Sequence, residues 1–286
     1  MKMQVETAKK EISELGFTII RNFFSDEELN DFESQVVDLY LLQAKKIGEY
    51  REQAIEIGNS ALTNFEKFSA IYEMMEENDK EALYNVQQFL TSSFGARALL
   101  NDRFQHLTAE LLGSSRSSVL NDGPGLFVNR PNTQRLLYKW HSEAHYYPKR
   151  RRFLNIWLPL FDDKSKNNGT MSFKEKSHLQ DFPFSDYQGY NKDTQNKKNH
   201  FIQYEIPSNL LIDFKEHFVE ANRTDLVIFH KRMVHTSNQN TSKDYSVAVV
   251  ARVWDPTDDL TISGNMPATP YGGNIGRPNL VVGSFD

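Results

Sequence analysis

The run Phe153-Leu154-Asn155-Ile156-Trp157-Leu158-Pro159-Leu160 is followed by a polar stretch containing Lys166-Asn167-Asn168-Gly169, and then by the short run Gly169–Phe173. The first run has the length and apolar content of a buried strand, the Asn-Asn-Gly group is turn chemistry, and the second run is another strand candidate. The same alternation extends both ways. Leu126–Asn129 and Leu136–His141 precede it, and Phe201–Ile206, Asp225–Phe229 and Ser246–Trp254 follow. Asn129-Arg130-Pro131-Asn132 and Asn238-Gln239-Asn240-Thr241 are further turns. Many short strands so spaced predict a β-sandwich or barrel between about residues 114 and 255.

Before that region, to about residue 113, the chain reads as mostly helical. Ser25-Asp26-Glu27-Glu28 is an N-cap with an acidic first turn. Leu29, Phe32, Val36, Val37 and Tyr40 then recur at three- and four-residue spacing, one apolar helix face. Phe65–Met75 and Ala82–Phe94 are further helix candidates, and Gly16–Ile20 is a short strand candidate. The last stretch, 256–286, is rich in Pro, Gly, Thr and Asn and reads as a tail or covering loop. We expect one domain that is mainly β with flanking helices.

Composition narrows the chemistry. The chain has 286 residues, 39% hydrophobic and 25% charged, ordinary values for a globular protein. It has no cysteine, so disulfides, thiolate metal sites and a cysteine nucleophile are excluded. Net charge is -5, and the densest basic cluster is Lys149–Arg152, so nucleic acid is not expected as a partner. No stretch reads as a membrane span and Met1–Lys10 is polar, from which a cytoplasmic location is expected.

Tyr138-Lys139-Trp140-His141-Ser142-Glu143 places an imidazole and a carboxylate two residues apart. On a strand these share a face, with Lys139 on the same side. His235, shortly after the strand candidate Asp225–Phe229, is available as a third ligand. Two His and one carboxylate make the facial triad of non-haem iron(II) oxygenases, which leaves coordination positions open. His-x-Glu alone is common at ordinary strand ends, so the surrounding sequence has to carry the argument.

That surrounding sequence resembles the phytanoyl-CoA dioxygenase family of iron(II)/2-oxoglutarate oxygenases. The resemblance rests on Gly16–Ser25 with the acidic helix after it, on His141–Pro148, on Trp157–Leu160 with Asn167–Thr170 and Ser177-His178, and on Thr224–His230 leading into His235–Asn240. It implies a double-stranded β-helix (jelly roll, cupin-like) with a helical N-terminal part. It also implies Fe(II) held by His141, Glu143 and His235, with 2-oxoglutarate and dioxygen as cosubstrates. The implied reaction hydroxylates a small organic substrate and releases succinate and carbon dioxide.

Two positions depart from the family's pattern. Glu143 stands where the family usually has Asp; a halogenase is disfavoured because those lack the carboxylate. Ser246 stands where the family places the Arg that pairs with the far carboxylate of 2-oxoglutarate. Arg252 shares the strand parity of Ser246 but lies six residues on, roughly 20 Å along a strand. Lys139 and Arg130 are the other cations considered. Leu126, Asn155 and Trp157 are expected to line the cosubstrate site, and His145 the substrate pocket. The turn Lys149–Arg152 suggests an anionic group on the substrate, and Gln180–His200 a lid. Two other readings remain: an iron oxygenase with a different cosubstrate, motivated by Ser246, and a non-catalytic cupin-like protein that binds metal or sugar.

Overall fold

A computed structural model describes residues 2–76, 79–83, 99–116, 119–121, 125–133, 137–148, 151–188, 202–255 and 257. The N-terminal part contains α1 (Lys2–Leu15), β1 (Phe17–Ile20), α2 (Asp26–Lys46), α3 (Arg51–Asn59), α4 (Asn64–Met74), the short α5 (Lys80–Leu83) and α6 (Asp102–Leu112). Ser25 caps α2 in a capping box with Glu28, so two otherwise unpaired N–H groups are satisfied. The apolar positions read from the sequence, Leu29 to Tyr40, are buried. The Ala82–Phe94 candidate lies mostly outside the described residues, as does the stretch 256–286 apart from Thr257.

The rest is β structure: β2 (Leu120–Asn121), β3 (Gly125–Asn129), β4 (Phe153–Leu160), β5 (Met171–Lys174), β6 (Ser185–Gln188), β7 (Ile202–Glu205), β8 (Glu216–Phe218), β9 (Leu226–His230), β10 (His235–Ser237) and β11 (Ser246–Trp254). A four-residue helix, α7 (Glu143–Tyr146), interrupts it. The large sheet has the order β1-β9-β4-β11-β2, with β3 also on β11, and the small sheet is β10-β5-β8. All these pairings are antiparallel. This is the jelly-roll arrangement, with the two sheets open rather than closed into one barrel.

β4 reads as continuously apolar because it is covered on both faces. Leu154, Ile156, Leu158 and Leu160 pack with Val247, Val249, Ala251 and Val253 against the helices. Trp157 turns the other way, into the space between the sheets, with Phe173, Val227, Phe229, Met171 and Ala248. Each large apolar side chain so buried contributes roughly 1.5–3 kcal/mol. Glu33, buried on α2, ties the helices to the sheet by accepting from Phe161 N at 2.8 Å and pairing with Arg223 at 3.2 Å.

The expected strand Leu136–His141 is corrected. Residues 137–140 are not strand, and His141 makes only an isolated bridge, to His235. The backbone there is divided between neighbours: Ser237 N donates to Tyr138 O and Ile206 N to Trp140 O, so no single ladder forms. Part of the expected lid, Ser185–Gln188, is a strand paired with β7, and 189–201 lie outside the described residues.

The turn at Asn167–Thr170 has a strict requirement. Gly169 has φ +77°, and a Cβ there would collide with the Asn129 side chain and sit 2.9 Å from Asn240 N. Gly169→Ala is expected to destabilise the fold by more than about 1 kcal/mol. The urea denaturation midpoint measures this.

Candidate metal centre

His141 and His235 are fixed by one another's backbone, His141 N donating to His235 O at 3.0 Å and His235 N to His141 O at 2.9 Å. Their rings lie with centroids 4.1 Å apart. Glu143 is the first residue of α7, whose start is held by Ala144 N donating to Lys231 O at 3.0 Å. Its carboxylate therefore arrives through a strand-to-helix turn, not through strand alternation as the sequence suggests. One ligand atom from each of the three residues lies within 4.8 Å of the others, and all three residues are buried.

The protonation states suit a cation. The His141 Nδ1–H donates to Lys139 O at 2.6 Å and the His235 Nδ1–H to Met233 O at 3.0 Å, so each ring presents Nε2. Burial drives His141 down to about 3 and also lowers His235, leaving both imidazoles neutral. Burial pushes the Glu143 carboxyl up, but the Arg252 guanidinium outweighs it and holds it below its ordinary value. Arg252 Nε donates to Glu143 Oε2 and Nη2 to Oε1, both at 3.3 Å. Phe229 and Phe173 pack against His235, at 5.0 and 6.5 Å between centroids, and Tyr146 meets His141 edge-on at 6.0 Å. These three aromatics were not singled out in the sequence.

The other expected site residues divide. Asn155 and Trp157 are on the inner face of β4, Asn155 opposite Arg252 and Phe229, and Trp157 opposite Val250 and Val227. Asn155 is 1% exposed, and neither its Nδ2 nor its Oδ1 has a partner. His145 stacks on Phe184 at 4.0 Å, and its buried Nδ1 also has no partner.

Three placements are corrections. Leu126 points away from the inner space into the core against the helices, opposite Val249. It is Phe127, one residue on, that lies opposite Ala248 on the inner parity. Lys139 does not share the face of His141, because the segment is not a strand; it is exposed and pairs with Glu205 at 2.6 Å. Ser246 starts β11 opposite Asn129, at the other end of the strand from Arg252 and Glu143. In the basic turn, Arg152 is bound to Gly113 O and Asp255.

The family model for phytanoyl-CoA dioxygenase (PhyH) matches residues 12–246. Among solved structures the chain is similar to the epimerase SnoN in complex with Fe3+, alpha ketoglutarate and nogalamycin RO, at TM-score 0.54 and 16% identity over 90% of this chain and 86% of that one. It is also similar to AviO1 from Streptomyces viridochromogenes Tue57, at 0.55 and 15% over 88% and 95%. A third is the apo form of the non-heme monooxygenase ThoJ, at 0.53 and 17% over 87% and 77%. At these identities the likeness is one of fold. No curated protein matches the sequence.

Two predictions follow from the geometry of the centre. The chain is expected to bind one equivalent of iron(II), or cobalt(II) in its place, under anaerobic titration. His141→Ala and His235→Ala should each weaken that binding by more than about tenfold.

The second concerns acid. The folded His141 stays neutral to about pH 3, while an unfolded histidine protonates near its model value of 6.5. The unfolded chain therefore binds more protons below pH 6.5, and the metal-free fold loses stability as pH drops from that point. His145 and His230, both lowered to about 4 chiefly by burial, act in the same direction. Denaturation midpoints at pH 7, 6 and 5 should fall in that order, and more steeply in wild type than in His141→Asn.

Proposed function

This chain belongs to the phytanoyl-CoA dioxygenase family, and from that premise we propose that it is a single-domain dioxygenase dependent on iron(II) and 2-oxoglutarate. The proposed reaction takes a small organic substrate, 2-oxoglutarate and dioxygen, and gives the hydroxylated substrate, succinate and carbon dioxide. The observation that carries this reading is the buried set of two neutral imidazoles and one ionised carboxylate. This donor set suits iron(II) and leaves positions for a chelating cosubstrate and dioxygen. Asn155, a buried amide without partners beside that set, is a polar group suited to a ligand.

When bound, iron with 2-oxoglutarate supplies the oxidising power to remove a hydrogen atom from an unactivated carbon at the expense of dioxygen. The protein's residues do the rest. His141 and His235 hold their Nε2 atoms to one side because backbone carbonyls fix the other ring nitrogen. Glu143 completes that face, and Arg252 keeps it ionised and oriented. Phe229, Phe173 and Tyr146 exclude water from the rings. His145, with its unpaired Nδ1 near the opening of α7, is the group we assign to the substrate.

The test is an anaerobic titration of metal-free protein with iron(II) and then 2-oxoglutarate. The expected result is a weak visible charge-transfer band that disappears on admission of air, with one succinate formed per 2-oxoglutarate consumed. Iron bound through the three residues with no band would reject 2-oxoglutarate as cosubstrate and point to another electron donor.

A further inference from the structure

A cavity of about 410 Å³ lies between α1, α6, the turn Ser177–Leu179 and the turn that follows β9. That volume is in the range of small-molecule sites. Its place follows from the pairing of β9 with β4. His230, which lines it, stands opposite Leu154, and directly opposed residues share a face. Leu154 packs against the helices, so His230 turns to that side, while Phe229 before it packs on the metal ligand His235. The cavity is therefore behind the metal centre, across the large sheet from it.

The polar groups around it are chiefly donors. His230 Nδ1 accepts from Arg232 N at 3.2 Å, so the ring's proton is on Nε2 and available to a ligand. Arg232 Nη2 is held by Asp181 at 2.8 Å, but its Nε is buried without a partner. Lys9 meets Glu6 and Glu110 only at 3.6 and 3.7 Å, too long for hydrogen bonds. His178 donates through Nε2–H to Ser13 O at 3.0 Å, and its Nδ1 lies against Gly16, 2.7 Å from where a Cβ would stand. Among the described residues that line the cavity there is no carboxylate. Ile12, Leu111 and Leu179 give it apolar walls, and Leu179 is 64% exposed.

We propose that this cavity is a second ligand site, separate from the metal centre, for a small organic carboxylate with an aliphatic body. The two oxygens of the head accept from His230 Nε2–H and Arg232 Nε–H, with Lys9 as a further cation, and the body lies along the apolar walls. Lys231, between His230 and Arg232, holds the start of α7 through its carbonyl, and α7 carries Glu143. The same turn runs on into His235. A carboxylate that fixes residues 230 and 232 thus restrains two metal ligands from behind, and by linkage metal and carboxylate strengthen one another. The site is read from binding and not from turnover, so it is independent of the oxygenase reading.

The test is calorimetry on the full chain loaded with zinc(II), which occupies the metal centre without redox chemistry. The probes are hexanoate, acetate (the head alone) and hexan-1-ol (the body with a neutral head). Hexanoate should bind once per chain, at least about tenfold tighter than either of the others. Arg232→Gln and His230→Asn, the second of which keeps an acceptor for Arg232 N, should each weaken hexanoate by about fivefold or more and leave hexan-1-ol within about twofold. Asp181→Asn, which releases Arg232 from a competing carboxylate, should tighten hexanoate by about threefold, a gain that misfolding does not produce. Saturating hexanoate should tighten zinc(II) binding by about fivefold in wild type and not in Arg232→Gln.

No hexanoate binding in wild type, or hexan-1-ol binding as tightly as hexanoate, would overturn the site. So would hexanoate affinity unmoved by Arg232→Gln, His230→Asn and Asp181→Asn, since the carboxylate would then sit on the metal. Equal tightening of zinc(II) in wild type and Arg232→Gln would overturn the coupling.

Discussion

The structure turns on the reciprocal hydrogen bonds between the backbones of His141 and His235. β10, which His235 opens, belongs to the small sheet through its pairing with β5. The bridge adds the segment before α7 to that sheet's edge, although the two residues are far apart in sequence. Directly opposed residues on an antiparallel pair send their side chains to the same face. The bridge therefore sets the 4.1 Å spacing of the two rings. The chain then leaves the extended form at once, and α7 begins with its second N–H tied to Lys231 O. That carbonyl lies in the turn between β9 and β10, so the same turn fixes both Glu143 and His235.

A polar group of this kind inside an apolar fold is costly unless its charges balance. Both imidazoles are neutral and Glu143 is matched by Arg252, so these four side chains together carry no net charge. A divalent ion would add two positive charges, and a dicarboxylate cosubstrate would add two negative ones. Arg252 is thus needed in both states, once against Glu143 alone and once as part of a larger neutral set. A centre built from the same ligands without the arginine would be anionic when empty and one positive charge short of balance when full.

What the sequence made legible follows the physics of each element. α2 was readable because one face of a long helix must be apolar and its cap is a local motif; β4 and β11 have the expected bounds because runs of eight and nine residues, nearly all buried, leave little choice. The site was readable in its residue types but not in its geometry. The period-two argument for Lys139, His141 and Glu143 fails because the backbone of residues 138–144 bonds to three different segments, β10, Ile206 and Lys231, which no local pattern reveals. Leu126 was assigned to the wrong face because alternation gives two sets of residues, and only the pairing with β11 says which set faces inward. Asn155 was legible for the opposite reason: an amide inside an apolar run has to be explained by something it touches.

The glutamate among the three ligands comes with a partner of its own, Arg252. Glu143 begins α7 and reaches the centre from that turn. Its carboxylate meets Arg252, which lies at the triad end of β11 and not at the Ser246 end. A carboxylate with one more rotatable bond needs a partner to fix it, and the arginine's fork supplies that constraint.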